Sequence, residues 1–289
     1  MQTMVIDDRT DAAAPPAVAV DHPDAPLAST TGETTAEVAP TLRVSLVIPT
    51  LNEAKNLPHV FAGLPDDLYE VILVDGFSTD DTVDVARALY PTIRVVEQTR
   101  RGKGNALVCG FAACTGDVIV MLDADGSARG TEIPRFVEAL RAGADFAKGS
   151  RFAAGGGSAD ITPLRRLGNW GLNTLVNLLY GTRYTDLCYG YNAFRTHCLP
   201  HMNINCDGFE VETLINIRIA KAGLRVAEVP SFEASRIHGS SNLNTFRDGW
   251  RVLKTIMTER FAPVQVTTRQ AAVYEMEPDA GLYQEGAMA

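Results

Sequence analysis

The sequence predicts an α/β protein with a doubly wound, mostly parallel β-sheet flanked by helices. Short apolar runs alternate with helical stretches over residues 44–142. Continuous apolar runs of this length are typical of strands that are buried on both faces of a parallel sheet. The alternation of strands and helices indicates βαβ units, and acidic segments at both ends of the chain indicate where the folded part stops.

Four apolar runs are predicted as strands, and they cover residues 44–48, 71–74, 93–96 and 118–122. Pro49 ends the first run, Asp75 the second and Asp123 the fourth. Helices are predicted after the strands, over residues 52–61, 79–89, 104–113 and 133–142. Asn52 is expected to cap the first of these helices, and Pro134 suits the first turn of the last.

The two ends of the chain are acidic, whereas the middle is neutral. Residues 1–42 carry a net charge of −6 and residues 263–289 carry −3, which accounts for the whole formal charge of −9. We expect a disordered acidic arm over residues 1–41, one folded domain over 42–262 and an acidic tail over 263–289. A chain with a net negative charge is not expected to bind nucleic acid.

The cysteines and the hydropathy indicate a cytoplasmic protein. Five cysteines, an odd number without CxxC spacing, argue against a disulfide framework or a structural zinc site. No apolar run approaches the ~18 residues of a transmembrane helix. The N-terminus also lacks the basic segment and apolar core of a secretion signal.

Polar residues follow three of the predicted strands, at Pro49–Glu53, Asp75–Gly76 and Asp123–Asp125. Ligands of doubly wound sheets bind beyond the carboxyl ends of the strands, so these segments should converge. Asp123 and Asp125 are two residues apart and point the same way if the segment is extended. Their hard oxygen ligands suit Mg²⁺ or Mn²⁺, with phosphate oxygens completing the coordination shell.

A glycine-rich segment opens the helix predicted at residue 104. Glycines allow close approach of the backbone, and a helix N-terminus offers free N–H groups to a phosphate, to which Lys103 would add a positive charge. The alternative interpretation is a turn with a solvated lysine. The segment matches neither GxxxxGK(S/T) nor GxGxxG, which disfavours a P-loop kinase or a dinucleotide-binding enzyme.

Five motifs follow one another along the chain, at residues 47–53, 74–80, 102–104, 123–125 and 149–151. In this order they resemble the family 2 glycosyltransferases of the GT-A fold, over about residues 43–260 of the chain. The resemblance is greatest to the dolichol-phosphate mannosyltransferase-like branch, whose members use nucleotide sugars. It implies a Rossmann-like half that binds the nucleotide and a second half that binds the acceptor.

The resemblance also implies roles for the strand-end residues. Pro49, Glu53 and Asp75 would hold the nucleoside, together with Leu51 of the same segment, and Asp123 and Asp125 would bind the metal and the diphosphate. The chain departs from the family pattern at three positions. The family often has Tyr where Leu51 stands, Asp where Gly76 stands and Gln where Ser127 stands.

Residues 151–262 are expected to hold the acceptor. The segment from Tyr184 to Arg195 resembles the family's Asp-x-x-x-Gly-aromatic segment near the reacting sugar, so Asp186 is the first candidate for a catalytic carboxylate. A turn-forming role for Asp186 is the alternative. Glu210 and Glu212, at the start of a helix predicted over 208–222, are the other candidates for the base or are simply favourable charges in a first turn.

A loop near residues 228–242 resembles one that closes over the diphosphate in this family. Arg236 offers a bidentate contact to phosphate, and Ser240 lies in the same loop. His238 is a candidate third metal ligand, because imidazole accepts Mn²⁺; an exposed histidine without a ligand role is the alternative.

A further helix is predicted over residues 170–180. One stripe of it consists of Leu172, Leu175, Val176 and Leu179, and another consists of Asn169, Asn173 and Asn177. The helix either packs on the domain with a solvated asparagine face, or lies at a membrane interface where a lipid acceptor can approach.

The sequence therefore predicts an inverting, metal-dependent glycosyltransferase that moves a hexose from a nucleoside diphosphate sugar to an acceptor. Polyprenyl phosphate is the first choice of acceptor, with peripheral contact at the inner face of a membrane, and a small soluble acceptor is the alternative. A phosphate acceptor needs no catalytic base, because its second pKa is near ~6.

A sugar-phosphate nucleotidyltransferase and a non-catalytic nucleotide-sugar sensor are the competing classes. The first of these would need a glycine-rich basic segment that residues 49–53 lack.

Overall fold

The computed structural model describes residues 41–239, 244–264 and 266. Residues 1–40 of the predicted arm and most of the predicted tail lie outside the described residues. The strands are β1 (Val44–Thr50), β2 (Glu70–Asp75), β3 (Arg94–Glu97), β4 (Val118–Met121), β5 (Phe146–Ser150), β6 (Gly157–Ser158), β7 (Asn192–Arg195), β8 (Val226–Pro230) and β9 (Phe232–Glu233). The helices are α1 (Leu57–Phe61), α2 (Thr82–Leu89), α3 (Lys103–Ala113), α4 (Ile133–Arg141), α5 (Pro163–Tyr180), α6 (Leu199–Met202), α7 (Val211–Lys221) and α8 (Thr245–Phe261).

Seven strands form one sheet in the order β3-β2-β1-β4-β7-β5-β8. Neighbouring strands are parallel except at β7, which runs antiparallel to both β4 and β5. Strands β6 and β9 pair separately. The strand order reverses between β1 and β4, and such a switch point leaves a crevice at the carboxyl ends of the strands. The predicted doubly wound, mostly parallel sheet is confirmed.

Both faces of the sheet are covered by helices, as the continuous apolar runs predict. Along β1, Leu46 and Ile48 pack on the side of α4, whereas Val47 packs on the side of α3 and α7. All three side chains are fully buried. Successive residues of a strand point to opposite faces, so a strand between two helical layers has no solvent-facing position.

The first strand is longer than predicted, because it continues through Pro49 to Thr50. Proline has no N–H to donate to a neighbouring strand. Pairing with β4 ends at Val47, while pairing with β2 continues to Thr50. Pro49 therefore lies in a stretch of β1 that has only one hydrogen-bonded neighbour.

Asn52 does not cap a helix, which corrects the prediction of a helix over 52–61. It has a positive φ of 57°, and its side-chain oxygen accepts a hydrogen bond from the backbone N–H of Thr79 at 2.8 Å. Its own backbone N–H donates to Ser78 Oγ at 2.9 Å. Asn52 thus joins the loop after β1 to the loop after β2, and α1 begins only at Leu57.

Helix α5 begins seven residues before the predicted start at residue 170. Thr162 caps it by accepting a hydrogen bond from the backbone N–H of Arg165, and Pro163 occupies the first turn. Val176 of the predicted apolar stripe is buried, whereas the solvated asparagine face, which belongs to one of the two interpretations of this helix, is wrong. Asn169 and Asn173 are buried, and the amides of Asn173 and Asn177 donate to the backbone carbonyl of Tyr184. The asparagines hold the segment that follows α5.

Candidate functional site

A cavity of about 1130 Å³ lies beyond the carboxyl ends of β1 and β4 and extends between α5 and α8. Most of the residues predicted for the site line this cavity: Pro49, Leu51, Glu53, Lys103, Asp123, Asp125, Glu210, Glu212 and Arg236. They come from five separate segments of the chain. The fold therefore brings most of the strand-end residues together, as predicted.

Lys103, at the start of α3, joins carboxylates from two other elements. Its Nζ lies 2.7 Å from Asp123 Oδ1 and 2.7 Å from Glu212 Oε1. Burial lowers the pKa of Lys103, but the attraction of Asp123 and Glu212 outweighs it, so the net pKa is raised and the ammonium stays charged. Burial raises the pKa of Glu212, although Lys103 opposes this change.

Arg236 makes a second bridge of the same kind. One of its Nη atoms lies 3.0 Å from Glu53 Oε1 and the other lies 3.0 Å from Asp125 Oδ2. The remaining oxygen of Asp125 accepts hydrogen bonds from the backbone N–H and the hydroxyl of Ser127. The loop after β9 is thereby tied to the ends of both β1 and β4.

The residues at the end of β4 fit a hard divalent cation. Asp123 and Asp125 offer carboxylate oxygens at the edge of an open cavity, which is the ligand type that Mg²⁺ and Mn²⁺ prefer. Within the described residues, no group of three or more His, Cys, Asp or Glu side chains could hold a metal ion. A cation at this place would have two protein carboxylates as ligands and would draw its other ligands from a phosphorylated substrate.

His238 does not line the cavity. Its side chain is exposed, and its backbone N–H donates to Asn56 Oδ1 at 3.0 Å. Its ring centroid lies 5.9 Å from that of His59. The structure does not bring His238 into a cluster with Asp123 and Asp125, so its role as a third metal ligand stays a prediction without geometric support. Ser240, from the same loop, lies outside the described residues.

Asp75, at the end of β2, is buried and does not itself line the cavity. Its Oδ2 accepts a hydrogen bond from the backbone N–H of Ser78 at 3.0 Å. Its Oδ1 is buried and has no hydrogen-bond partner. A buried oxygen without a partner is uncommon in a folded protein. Because the next residue, Gly76, lines the cavity, the free oxygen fits a donor group of a bound ligand.

Asp186 lies elsewhere than predicted, because it is fully buried and does not line the cavity. Arg151 donates to both of its oxygens, from Nε at 2.7 Å and from Nη2 at 3.0 Å. Burial alone would raise the pKa of Asp186, but the hydrogen bonds and charge of Arg151 lower it below its ordinary value. A buried carboxylate with a lowered pKa is a poor proton acceptor.

Arg151 and its partners are site residues whose roles the sequence did not indicate. The guanidinium also lies 3.1 Å from Glu233 and 4.8 Å from the centre of the Tyr189 ring, and all three side chains line the cavity. Arg151 directly follows β5, and a position just after a strand is the signal that identifies the other strand-end residues. That strand has the sequence FAKGS, and its buried Lys148 hides the apolar pattern of a strand.

Glu210 and Glu212 differ in their surroundings, although both line the cavity. Glu212 is almost fully buried against Lys103. Glu210 is less buried, and its Oε1 accepts a hydrogen bond from the backbone N–H of Gly208 at 3.3 Å. Its Oε2 is buried and has no hydrogen-bond partner. Asp186 and Glu212 are paired with Arg151 and Lys103, whereas Glu210 forms no ion pair with a basic side chain of the described residues.

Comparison with known proteins agrees with the resemblance in the sequence. The family model described as glycosyl transferase family 2 matches residues 45–200. An undecaprenyl-phosphate mannosyltransferase of Micrococcus luteus is 32% identical over 215 residues, which cover 70% of this chain and 88% of the relative. A polyprenol monophosphomannose synthase of Mycolicibacterium smegmatis is 33% identical over 227 residues, which cover 74% and 85% of the two chains.

A solved structure has a similar fold. The glucosyl-3-phosphoglycerate synthase of Mycobacterium tuberculosis, in complex with Mn²⁺, uridine diphosphate and glucosyl-3-phosphoglycerate, superposes with a TM-score of 0.62 at 25% identity. The match covers 77% of this chain and 81% of the other. The predicted GT-A architecture is thus confirmed by a neighbour whose site holds a nucleotide and a metal ion.

Proposed function

Because the chain belongs to glycosyl transferase family 2, we propose that it transfers a hexose from a nucleoside diphosphate sugar to polyprenyl phosphate, with inversion at the anomeric carbon. The observation that carries this proposal is the arrangement at the end of β4. There Asp123 and Asp125 meet Lys103 and Arg236 on one cavity wall. A nucleotide-sugar donor needs two carboxylates that hold a metal ion and two basic side chains that contact its diphosphate.

The proposed donor contacts follow from position in the cavity. Pro49, Leu51 and Glu53 line the cavity and would contact the nucleoside, together with the unpartnered Oδ1 of Asp75. Asp123 and Asp125 would hold Mg²⁺ or Mn²⁺, which supplies charge neutralisation for the departing diphosphate. Lys103 and Arg236 would stabilise the same developing charge from the protein side.

A phosphate acceptor is supported by the surroundings of Asp186. A hydroxyl acceptor needs a base to take its proton, whereas a phosphate is already ionised at neutral pH. The first candidate for that base is buried and paired with Arg151. The names of the two mannosyl-transferring relatives also point to polyprenyl phosphates. We assign Asp186 to holding Arg151 in place and Glu212 to holding Lys103.

A small soluble acceptor is the second candidate, and one observation favours it. Glu210 lines the cavity, and its buried Oε2 has no hydrogen-bond partner, so this carboxylate is the candidate base for a hydroxyl group. The similar structure of glucosyl-3-phosphoglycerate synthase is a complex with glucosyl-3-phosphoglycerate, in which the sugar is joined to a small soluble molecule. Membership in the family favours glycosyl transfer over the sugar-phosphate nucleotidyltransferase alternative.

The test is a transfer assay with radiolabelled nucleoside diphosphate hexoses that carry each of the common bases, in the presence of Mn²⁺. The acceptors are polyprenyl phosphate and, separately, phosphoglyceric acid. Labelled lipid should appear with the first acceptor, and EDTA should abolish its formation. Asp125→Ala should lower kcat/KM at least about 100-fold, because the charge that develops on the diphosphate loses its stabilisation.

The matched control is Asp66→Ala, which removes an exposed carboxylate that does not line the cavity. It should leave kcat/KM unchanged, and both variants should unfold at the temperature of the unmodified protein. Transfer to phosphoglyceric acid alone, together with loss of activity in Glu210→Gln, would establish the second candidate instead. Full activity in EDTA would contradict the metal assignment.

A further inference from the structure

Asn56 immediately precedes α1, a position where asparagine commonly accepts hydrogen bonds from the first N–H groups of the helix. Its side chain makes no such bond, although it is only 3% exposed. Its Oδ1 instead accepts a hydrogen bond from the backbone N–H of His238 at 3.0 Å, and its Nδ2 donates to the carbonyl oxygen of the same residue at 3.2 Å. The carboxamide of Asn56 thus pairs with the backbone of a residue 182 positions later in the chain.

The same carboxamide is connected to Arg236 through Glu53. The Nδ2 of Asn56 also donates to Glu53 Oε2, while Glu53 Oε1 accepts a hydrogen bond from Arg236 at 3.0 Å. The other end of the guanidinium lies 3.0 Å from Asp125 Oδ2. Both oxygens of Glu53 and both polar atoms of Asn56 therefore have partners, and a buried polar network with every member satisfied is rigid.

Residues 234–239, which we call the bridging loop, are also held on the side of β4. The backbone N–H of Ala234 donates to the carbonyl oxygen of Ser127 at 2.8 Å. Ile237 packs directly on Gly126, where an added Cβ would lie 2.7 Å from Ile237 Cδ1. The bridging loop is therefore attached to the segment after β4 at one edge and to the segment after β1 at the other.

These contacts fix the place of Arg236, which lines the cavity next to Asp125. An arginine side chain that is already in place loses less conformational freedom when a ligand binds, so a preorganised arginine binds phosphate more tightly than a mobile one. All of the contacts join groups of the protein to one another. They can therefore form without a ligand.

We propose that Asn56 is a positioning residue, which holds the bridging loop closed so that Arg236 faces the diphosphate of a donor before that donor binds. Asn56 does not line the cavity, so it acts through Arg236 and not by contact with the donor. Asparagine suits this role because it offers one acceptor and one donor group, which are what the N–H and C=O of His238 need. The inference rests on the proposed function for the identity of the ligand, whereas the closed loop can be tested without any ligand.

The first experiment is hydrogen exchange of single backbone amides, followed by NMR in the protein without nucleotide or metal. Asn56→Ala should speed exchange of the His238 amide at least about tenfold, because that N–H loses its acceptor and the loop edge opens. The amide of Ala234 should exchange as before, since its partner is Ser127. Asn56→Asp keeps the size of the side chain but has no N–H for the carbonyl of His238, and it should also speed exchange at His238.

The matched control is Asn173→Ala. Asn173 is also buried, and its amide also donates to a backbone carbonyl of another segment, that of Tyr184. The control should leave exchange at His238 unchanged. Because the side chain of Asn56 does not cap α1, its replacement should leave that helix intact, and thermal unfolding of each variant verifies this.

The second experiment measures binding of inorganic diphosphate in the presence of Mn²⁺ by calorimetry. Asn56→Ala should weaken binding about tenfold, because Arg236 is no longer held in place. In a protein that carries Arg236→Gln, the further change Asn56→Ala should alter the affinity by less than about twofold, since two residues that act through one contact are not additive. Asn173→Ala should bind diphosphate as the unmodified protein does.

Three results would overturn the proposal. The His238 amide could exchange as fast in the unmodified protein as in Asn56→Ala, or Asn56→Ala could speed exchange equally at Ala234 and His238, which would give Asn56 a general role in stability. Asn56→Ala could also weaken diphosphate binding equally with and without Arg236→Gln. If both experiments succeed and the transfer assay fails, the proposed function is contradicted and the role of Asn56 stands.

Discussion

Arg151 and Asp186 form an ion pair that is almost entirely buried. Asp186 is fully buried, and the guanidinium fork holds both of its oxygens. Removing one partner of a buried pair leaves the other charge uncompensated, which costs about 3 kcal/mol or more. An equivalent pair at the surface is screened by water and contributes little. This chain contains both a buried pair, Arg151–Asp186, and an exposed pair, Arg43–Asp117, so their contributions to stability can be compared.

We expect Asp186→Asn to lower the free energy of unfolding at pH 7 by about 3 kcal/mol. The folded pKa of Asp186 is below its ordinary value of 3.8. Its contribution to stability is therefore complete above pH 3.8 and is lost as the pH falls through the lower, folded pKa. The difference between the variant and the unmodified protein should narrow in that acidic range. Urea denaturation as a function of pH measures it.

The control for this variant is Asp117→Asn, at the exposed pair that Asp117 forms with Arg43. It has the same chemistry at the surface and should change stability little. If Asp186→Asn kept native stability and lost kcat about 100-fold, Asp186 would be the catalytic base after all.

The strand-end carboxylates of the site could be predicted from the sequence, whereas the surroundings of Asp186 could not. Asp123 and Asp125 directly follow a buried apolar run, and the rule that ligands bind at the carboxyl ends of strands places them without further knowledge. The burial of Asp186 depends on Arg151, a residue 35 positions earlier in the chain. No pattern in the neighbouring sequence identifies such a distant partner, so the environment of Asp186 could be found only from the structure.

At the scale of elements, the start of α3 packs tightly against the segment that precedes α7. A Cβ atom on Gly104 would lie 1.9 Å from the carbonyl oxygen of Cys206, and the N–H of Gly104 donates to the carbonyl of Asp207 at 3.1 Å. This close approach sets the position of Lys103 relative to Glu212. The glycine is thus needed for space at the start of α3.

We expect Gly104→Ala to lower the free energy of unfolding by about 1–3 kcal/mol, because two backbone segments must separate. The same shift should weaken donor binding, measured by calorimetry, because Lys103 moves away from its carboxylates. The control is Gly171→Ala in α5, where no atom lies within 4 Å of the added Cβ. It should raise stability by about 0.5–1 kcal/mol, as alanine does in the middle of a helix. Equal effects at the two glycines would contradict the packing argument.

Elements with a continuous apolar pattern were predicted within two residues, as the bounds of β2, β3 and β4 demonstrate. Elements that depend on partners distant in the chain were not. Strand β5 contains Lys148, whose ammonium donates to the backbone carbonyls of Asp186 and Gly149. The cap of α5 at Thr162 is a single side chain, which has too little context to predict a helix start.

At the scale of the whole molecule, the sheet and its helices are built from the described chain that begins at residue 41. The acidic residues 1–41 contain few large apolar side chains. We expect a chain that begins at Leu42 to fold and to keep its kcat/KM for the donor. Thermal unfolding and the transfer assay measure both. A large fall in the unfolding temperature would mean that the arm packs on the domain.

The antiparallel strand β7 has a consequence for how the protein is made. It lies between β4 and β5, yet it leaves the ribosome after both of them. Until residues 192–195 emerge, each of the two earlier strands has an unpaired edge that can recruit a strand from another chain. The part of the sheet that contains β1 to β4 therefore keeps an open edge until β7 is made. Nascent chains that stop before residue 192 should aggregate, whereas chains that extend past residue 230 contain every strand of the sheet and should stay monomeric.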